Sequence, residues 1–314
     1  MNKYEKELFL QLCRFEEKSS RLEILTDKYA SEEVLGYLFC NRMQAAAYGT
    51  LEKGGLLSRL NREFRNSLAD AYRQNLEKNE SFFKCADMLY KTLSSQKGKY
   101  AMLKGALLCG LYPAGYRTSN DIDLLSHPES VTALGEALSD AGFRQGSVQG
   151  GVFKPATRRE IIESKMTRGE TVPYILEVRL PYMRYFEVDI NFSLDYKNSD
   201  TQSLSSMLER AEEVTTGSAT IITLDKYDFF IHLCSHLYKE ATTLPWIKMR
   251  RDMTLYKFSD IYLLLNRLTD DDLRKTLERA RRLGMGDICG CVILWTSELL
   301  GIPEDNAQRT ARAY

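Results

Sequence analysis

The chain has 314 residues and a mass of 36.1 kDa, and 43 Lys and Arg balance 43 Asp and Glu to give zero formal net charge. With 44% hydrophobic and 27% charged residues it has the composition of an ordinary globular protein, which excludes a disordered chain, a collagen-like repeat and a disulfide scaffold. No net positive field exists to draw in nucleic acid or an anionic membrane, so nucleic acid is the less expected partner and no membrane is expected, although a local basic groove remains compatible.

From the N-terminus, Met1 to Glu7 is charged and lacks the apolar core of a signal peptide, and no apolar run approaches the ~18 residues of a membrane span. The seven cysteines are scattered, Cys289 and Cys291 are separated by one residue, not two, and six of the seven lie in apolar helical patterns, so they are expected as small core residues in a reducing, cytoplasmic setting. Residues 1–97 are expected to form an N-terminal helical region. Leu8, Phe9, Leu12 and Phe15 recur at helical spacing, and Ser31 caps a second pattern with Glu32 and Glu33 behind it. Gly54-Gly55 breaks that pattern. Leu56 to Gln96 then has neither Gly nor Pro and reads as one or two helices with Leu57, Leu60, Phe64 and Leu68 on one face.

Residues 98–222 change character and are expected to form a small α+β core with a mixed sheet. Tyr100 to Leu103 is a short apolar run, Asp121 to Leu125 alternates like a half-buried strand, and Pro128 to Ala141 is a helix stopped by Gly142. Val172–Leu180 and Tyr185–Phe192 are strand-like. Only two helices are convincing in this stretch. Residues 223–314 return to helices, with Asp225 as one cap, Thr269 or Asp270 as another, and Gly301 with Pro303 closing the last.

Chemistry concentrates between Leu103 and Leu125. Asp121 and Asp123, two apart on a strand, leave the same face, and such a pair resists joint ionisation unless a cation lies between them. Hard oxygen ligands projecting together suit Mg²⁺, with Mn²⁺ as a substitute, completed by water and substrate phosphates. Gly105 opens a helical segment after an apolar run, where the backbone can approach a phosphate; the same glycine also suits a plain strand-to-helix turn. Lys104 and Arg117 add cations nearby.

The run Leu-Lys-Gly-Ala at 103–106 followed by Arg117-Thr-Ser-Asn-Asp-Ile-Asp-Leu-Leu125 resembles the DNA polymerase β-type nucleotidyltransferase superfamily, with Ala106 where Ser is usual. Leu103-Lys-Gly, Leu111-Tyr-Pro, Thr223–His236 and Lys257–Leu265 resemble a bacterial group of nucleotidyltransferase family proteins often encoded beside biosynthetic genes, over about Tyr100 to Pro303. The resemblance implies a polymerase-β-like core, an NTP substrate (ATP foremost) and a third acid on a neighbouring strand. Asp189 within Glu187-Val-Asp-Ile-Asn191 is preferred for that acid over Glu187 and Glu177, and Asn191 stands where the group commonly has His. Asp121, Asp123 and Asp189 are thus the implied catalytic and metal-binding residues, and Lys104, Gly105, Ala106, Arg117 and Ser119 the implied nucleotide-binding ones. A substrate-facing role for His236 and Asp260 is implied more loosely.

Other motifs carry less. His232 and His236 have zinc-like spacing, yet no Glu follows His232 as in metalloproteases and only one further His exists, so a polar structural position is expected. Trp246 to Arg251 interleaves aromatic and basic groups and is expected as a solvated loop. Arg158, Arg159, Lys154 and Lys165 are better placed to line the cleft. The expected protein is a cytoplasmic, Mg²⁺-dependent nucleotidyltransferase moving an NMP to a small-molecule or peptide/protein acceptor with release of pyrophosphate. The rivals are a toxin–antitoxin type enzyme acting on tRNA or protein, and a catalytically silent nucleotide- or partner-binding protein, which Ala106 and Asn191 favour.

Overall fold

The computed structural model describes residues 1–15, 19–96, 98–167, 169–194 and 201–301. In chain order the helices are α1 (Lys3–Leu12), α2 (Ser20–Tyr29), α3 (Glu32–Cys40), α4 (Gln44–Lys53), α5 (Arg62–Thr92), α6 (Gly105–Leu111) and α7 (Val131–Asp140). They continue as α8 (Arg158–Thr167), α9 (Thr201–Glu209), α10 (Lys226–Thr242), α11 (Leu244–Lys248), α12 (Leu255–Leu265), α13 (Asp270–Arg282) and α14 (Gly286–Leu300). The strands are β1 (Tyr100–Met102), β2 (Asp121–Ser126), β3 (Arg144–Gln149), β4 (Val152–Pro155), β5 (Tyr174–Leu180), β6 (Met183–Asn191), β7 (Glu212–Thr216) and β8 (Ala219–Thr223). Among the described residues no helix is long and apolar enough to cross a membrane.

The chain divides into two compact units. One comprises Met1–Leu76, Tyr112–Arg117 and Leu233–Tyr314, the other Glu77–Leu111 and Thr118–His232. In the first, helices start where side chains satisfy the unpaired amides of a first turn. The Ser31 hydroxyl accepts from the Val34 N–H at 3.3 Å, and Thr269 with Asp272 forms a capping box. Gly301 ends α14 in the left-handed region at φ 71°, a conformation glycine adopts without a Cβ clash. Pro303, expected to follow it, lies outside the described residues. Leu8, Leu12, Leu25, Leu38 and Phe258 are fully buried here. The stretch expected as one or two helices is a short 3-10 turn at Leu57–Arg59 followed by the 31-residue α5, whose Phe64 N–H donates to Asn61 Oδ1 at 2.8 Å. Leu57 and Leu60 therefore precede the helix, while Phe64 and Leu68 are buried on it.

The second unit holds a six-stranded sheet of order β1-β2-β6-β5-β3-β4, in which β2 and β6 are parallel and the other pairs antiparallel, and a separate β7-β8 hairpin. The α+β class with a mixed sheet is as expected. One sheet face makes the core: Ile122 and Leu124 of β2 and Phe186, Val188 and Ile190 of β6 are completely buried, with Leu134 and Leu138 of α7 and Phe82 and Leu89 of α5. Each such side chain contributes about 1.5–3 kcal/mol on leaving water, so this face can offset the cost of a charged one opposite. The sheet is larger than the sequence suggested. The β3-β4 hairpin turns through Gly150 and Gly151, both at positive φ, and β7-β8 through Gly217 at φ 56°. Helices α8 and α9 add to the two expected in this region, and α11 occupies part of the stretch expected as loop.

Candidate active site

Strands β2 and β6 run parallel with Asp121 opposite Glu187 and Asp123 opposite Asp189. Side chains alternate across a strand, so all four carboxylates leave the face opposite Ile122, Leu124, Val188 and Ile190. Asp121 is exposed; Asp123, Glu187 and Asp189 are half-buried. Burial first, then Asp121 and Asp123, push the Glu187 carboxyl up. Burial, then Asp123, Glu187 and Asp121, push Asp189 well above the ordinary carboxylate range, with Lys104 opposing.

Three donors meet this acidic step. Lys104 Nζ lies 3.0 Å from Asp123 Oδ2, Asn191 Nδ2 donates to Asp123 Oδ1 at 3.3 Å, and Ser119 Oγ donates to Asp121 Oδ1 at 2.7 Å. The structure thus brings together Asp121, Asp123, Asp189, Lys104 and Ser119. Asn191 is an amide donor to an acid on the adjacent strand.

The turn before α6 is tightly built. Leu103 N–H donates to Asp123 O at 2.9 Å, tying the end of β1 to β2 at the acid itself. Lys104 follows in the left-handed region at φ 48°. A Cβ on Gly105 would stand 2.6 Å from both Cβ and Oγ of Ser119. Glycine is therefore required here by packing against Ser119, a reason separate from phosphate approach. The Ala106 N–H donates to Leu103 O at 3.2 Å, and the Ala106 side chain is part of the core.

Arg117 belongs to the helical unit. Its Nε and Nη2 lie 3.2 and 3.3 Å from the two oxygens of Asp260, which also accepts from Tyr112 Oη at 2.9 Å. Its guanidinium stands 4.9 Å from the centre of the Tyr256 ring. Burial pushes the Asp260 carboxyl up, against the Arg117 charge and the hydrogen bonds from Arg117 and Tyr112. His236 Nε2 lies 3.3 Å from Glu240 Oε2 in the same unit. Glu177, on β5 opposite Tyr185, has its carboxylate 3.3 Å from Arg179 Nε and 3.1 Å from Arg184 Nε.

Among the described residues no group of three or more His, Cys, Asp or Glu side chains is arranged to hold a metal ion. The β2–β6 acids offer oxygen donors only, the ligand type that hard divalent cations prefer.

The uncharacterised nucleotidyltransferase family matches residues 29–301 of the chain. No curated protein matches it. Among solved structures the chain is similar to an antigenic nucleotidyltransferase-like protein from Paracoccidioides brasiliensis, at 14% identity over 66% of this chain and 90% of that one, with a TM-score of 0.37. With the family match spanning most of its length, the chain belongs to the uncharacterised nucleotidyltransferase family.

Proposed function

We propose, from membership of that family, that the β2–β6 face transfers an NMP from an NTP, ATP foremost, to a small-molecule or peptide/protein acceptor and releases pyrophosphate. The observation that carries the reading is the register that sets Asp123 opposite Asp189 and Asp121 opposite Glu187. Asp121, Asp123 and Asp189 would hold Mg²⁺, for which Mn²⁺ is the natural substitute, and their oxygen-only donor set fits that ion. When bound, the cation neutralises triphosphate charge as a Lewis acid.

The chain's own groups do the rest. Lys104, 3.0 Å from Asp123, would counter phosphate charge beside the acids. The Gly105 amide would supply a neutral donor at the same turn, while the Ser119 hydroxyl holds Asp121 in place. Asp189, in its ionised form, would orient the acceptor hydroxyl and take its proton while the acceptor oxygen bonds to the α-phosphorus and the bond to pyrophosphate breaks. Rate comes from positioning and charge compensation.

A second reading is favoured by one observation: both oxygens of Asp123 already have donors, Lys104 and Asn191, which suits a protein that binds nucleotide without turning it over. Calorimetry of the four NTPs with and without Mg²⁺, on wild type and on an Asp121→Ala, Asp123→Ala double variant, tests the site. Mg²⁺-dependent binding that the double variant loses supports it, and pyrophosphate release on adding acceptor separates the two readings. A folded wild type that binds no NTP overturns both.

A further inference from the structure

The stretch from Leu244 to Met253 in the helical unit has no place in the proposed chemistry. Leu244, Ile247, Met249 and Met253 are between 42% and 58% exposed, so four of the fifteen exposed large hydrophobic residues among the described ones fall within ten consecutive positions. Leu244 and Ile247 are three apart on α11 and share a face. The exposed charged residues in the stretch are Lys248, Arg250 and Arg251, all cationic. Its one acid, Asp252, is half-exposed and lies beside the buried Lys257, whose Nζ donates to Asp252 O at 3.1 Å and to Arg251 O at 2.6 Å and pairs with Glu240 Oε2 at 2.6 Å. That buried ammonium fixes the end of the segment to the interior, so the apolar and basic groups are presented on an ordered backbone, which reduces the entropy lost on binding.

The backbone adds a second observation. α11 closes in a Schellman motif, with Arg250 N–H donating to Ile247 O and Arg251 N–H to Trp246 O, both at 3.0 Å. The residue at the left-handed position of that motif is Arg250, at φ 53°. Glycine is the favoured residue there and a Cβ is strained, so the arginine stands at a position where the local backbone would prefer glycine.

We propose that residues 244–253 form a docking surface for a peptide segment in which acidic residues alternate with large aliphatic or aromatic ones. Exposed Met, Ile and Leu flanked by arginine are the composition of a protein-contacting surface, and three cations without an exposed acid select a partner of opposite charge. Single-stranded nucleic acid fits less well: the exposed apolar groups are aliphatic, whereas the one ring, Trp246, is half-buried with Lys257 Nζ 5.9 Å from its centre. A membrane surface also fits less well, because α11 has only five residues and offers no long amphipathic face. The inference does not depend on nucleotidyl transfer.

The test selects phage-displayed random sixteen-residue peptides on the full chain and measures the enriched peptides by fluorescence anisotropy. The proteins are wild type, Arg250→Gly, and the Leu244→Ser, Ile247→Ser double variant. Enriched sequences should alternate Asp or Glu with Leu, Ile, Met or Phe, bind Arg250→Gly five- to tenfold more weakly, bind the double variant at least tenfold more weakly, and weaken with salt. Arg250→Gly should keep or raise the melting temperature, so its lost binding cannot come from unfolding. No enrichment, enriched peptides without acids, equal binding to all three proteins, or capture of phosphatidylserine vesicles or oligo-dT that the peptides fail to displace would each overturn the proposal.

Discussion

Asp123 and Asp189 occupy the same register step of two parallel strands, and the crowding of their charges is opposed on one side by Lys104. Asp189 is half-buried, and burial followed by Asp123 favours its protonated form. Replacing it with Asn removes a charge that the folded chain disfavours. Asp189→Asn is therefore expected to melt at or above the wild-type temperature while NMP transfer falls about 100-fold or more, the scale of a lost proton acceptor. Calorimetric melting and pyrophosphate release, measured on the same preparation, check the two halves. A lowered melting temperature would mean that Asp189 is structural.

Lys104 combines a left-handed backbone, at φ 48°, with a cation on Asp123. The two features separate by substitution. Lys104→Gly should relieve about 1 kcal/mol of backbone strain and lose the cation; Lys104→Met loses the cation and keeps the strain. Both should bind Mg²⁺·NTP about 10- to 100-fold more weakly, the worth of a charge-assisted contact, but only the glycine variant should gain stability. Equal nucleotide affinity in wild type and both variants would remove Lys104 from the phosphate site.

Gly105 and Ser119 are in close contact, since a Cβ on Gly105 would meet the Ser119 side chain at 2.6 Å. Gly105→Ala should cost about 1–3 kcal/mol as overpacking and disturb the Ser119 hydrogen bond to Asp121. Ser119→Gly removes the obstructing atoms, so the double variant should recover most of that loss. A urea-denaturation cycle over the four proteins reads the coupling. Additive losses would show that Gly105 is there for some reason other than Ser119.

Much of this arrangement was visible in one dimension. The alternation Asp121-Ile-Asp-Leu reads as a strand because its two faces differ: Ile122 and Leu124 enter the core while the acids do not. Caps at Ser31, Asp225 and Thr269 were readable because a cap is a local hydrogen bond, as between the Asp228 N–H and Asp225 Oδ1 at 2.7 Å. The β3-β4 hairpin was missed because Arg144-Gln-Gly-Ser-Val-Gln is mostly solvent-facing and carries no apolar alternation, although Gly150-Gly151 marked its turn. Partners distant in sequence left no trace. Nothing near Asn191 announces an amide on Asp123, and nothing near Arg117 announces its two bonds to Asp260.

Glu240 and Lys257 form a buried ion pair at 2.6 Å, each with less than a tenth of its side chain exposed. Burial pushes the Glu240 carboxyl up, but His236 and Lys257 outweigh it and bring it down from 4.5 to about 2. Burial also draws the Lys257 pKa down, yet its three acceptors at 2.6, 2.6 and 3.1 Å favour the charged ammonium. A carboxyl with a lowered folded pKa binds fewer protons folded than unfolded, so its contribution is complete above 4.5 and disappears as pH falls toward 2. By linkage that contribution is at most about 3 kcal/mol. Glu240→Gln should therefore lie about 2–3 kcal/mol below wild type in urea at pH 7, and the gap should close steadily between pH 4.5 and 2, where the wild-type carboxyl itself becomes neutral. Adding Lys257→Met should restore stability at pH 7, because removing both charges leaves neither one buried alone. A gap that stays constant with pH would assign the loss to packing rather than to the ion pair.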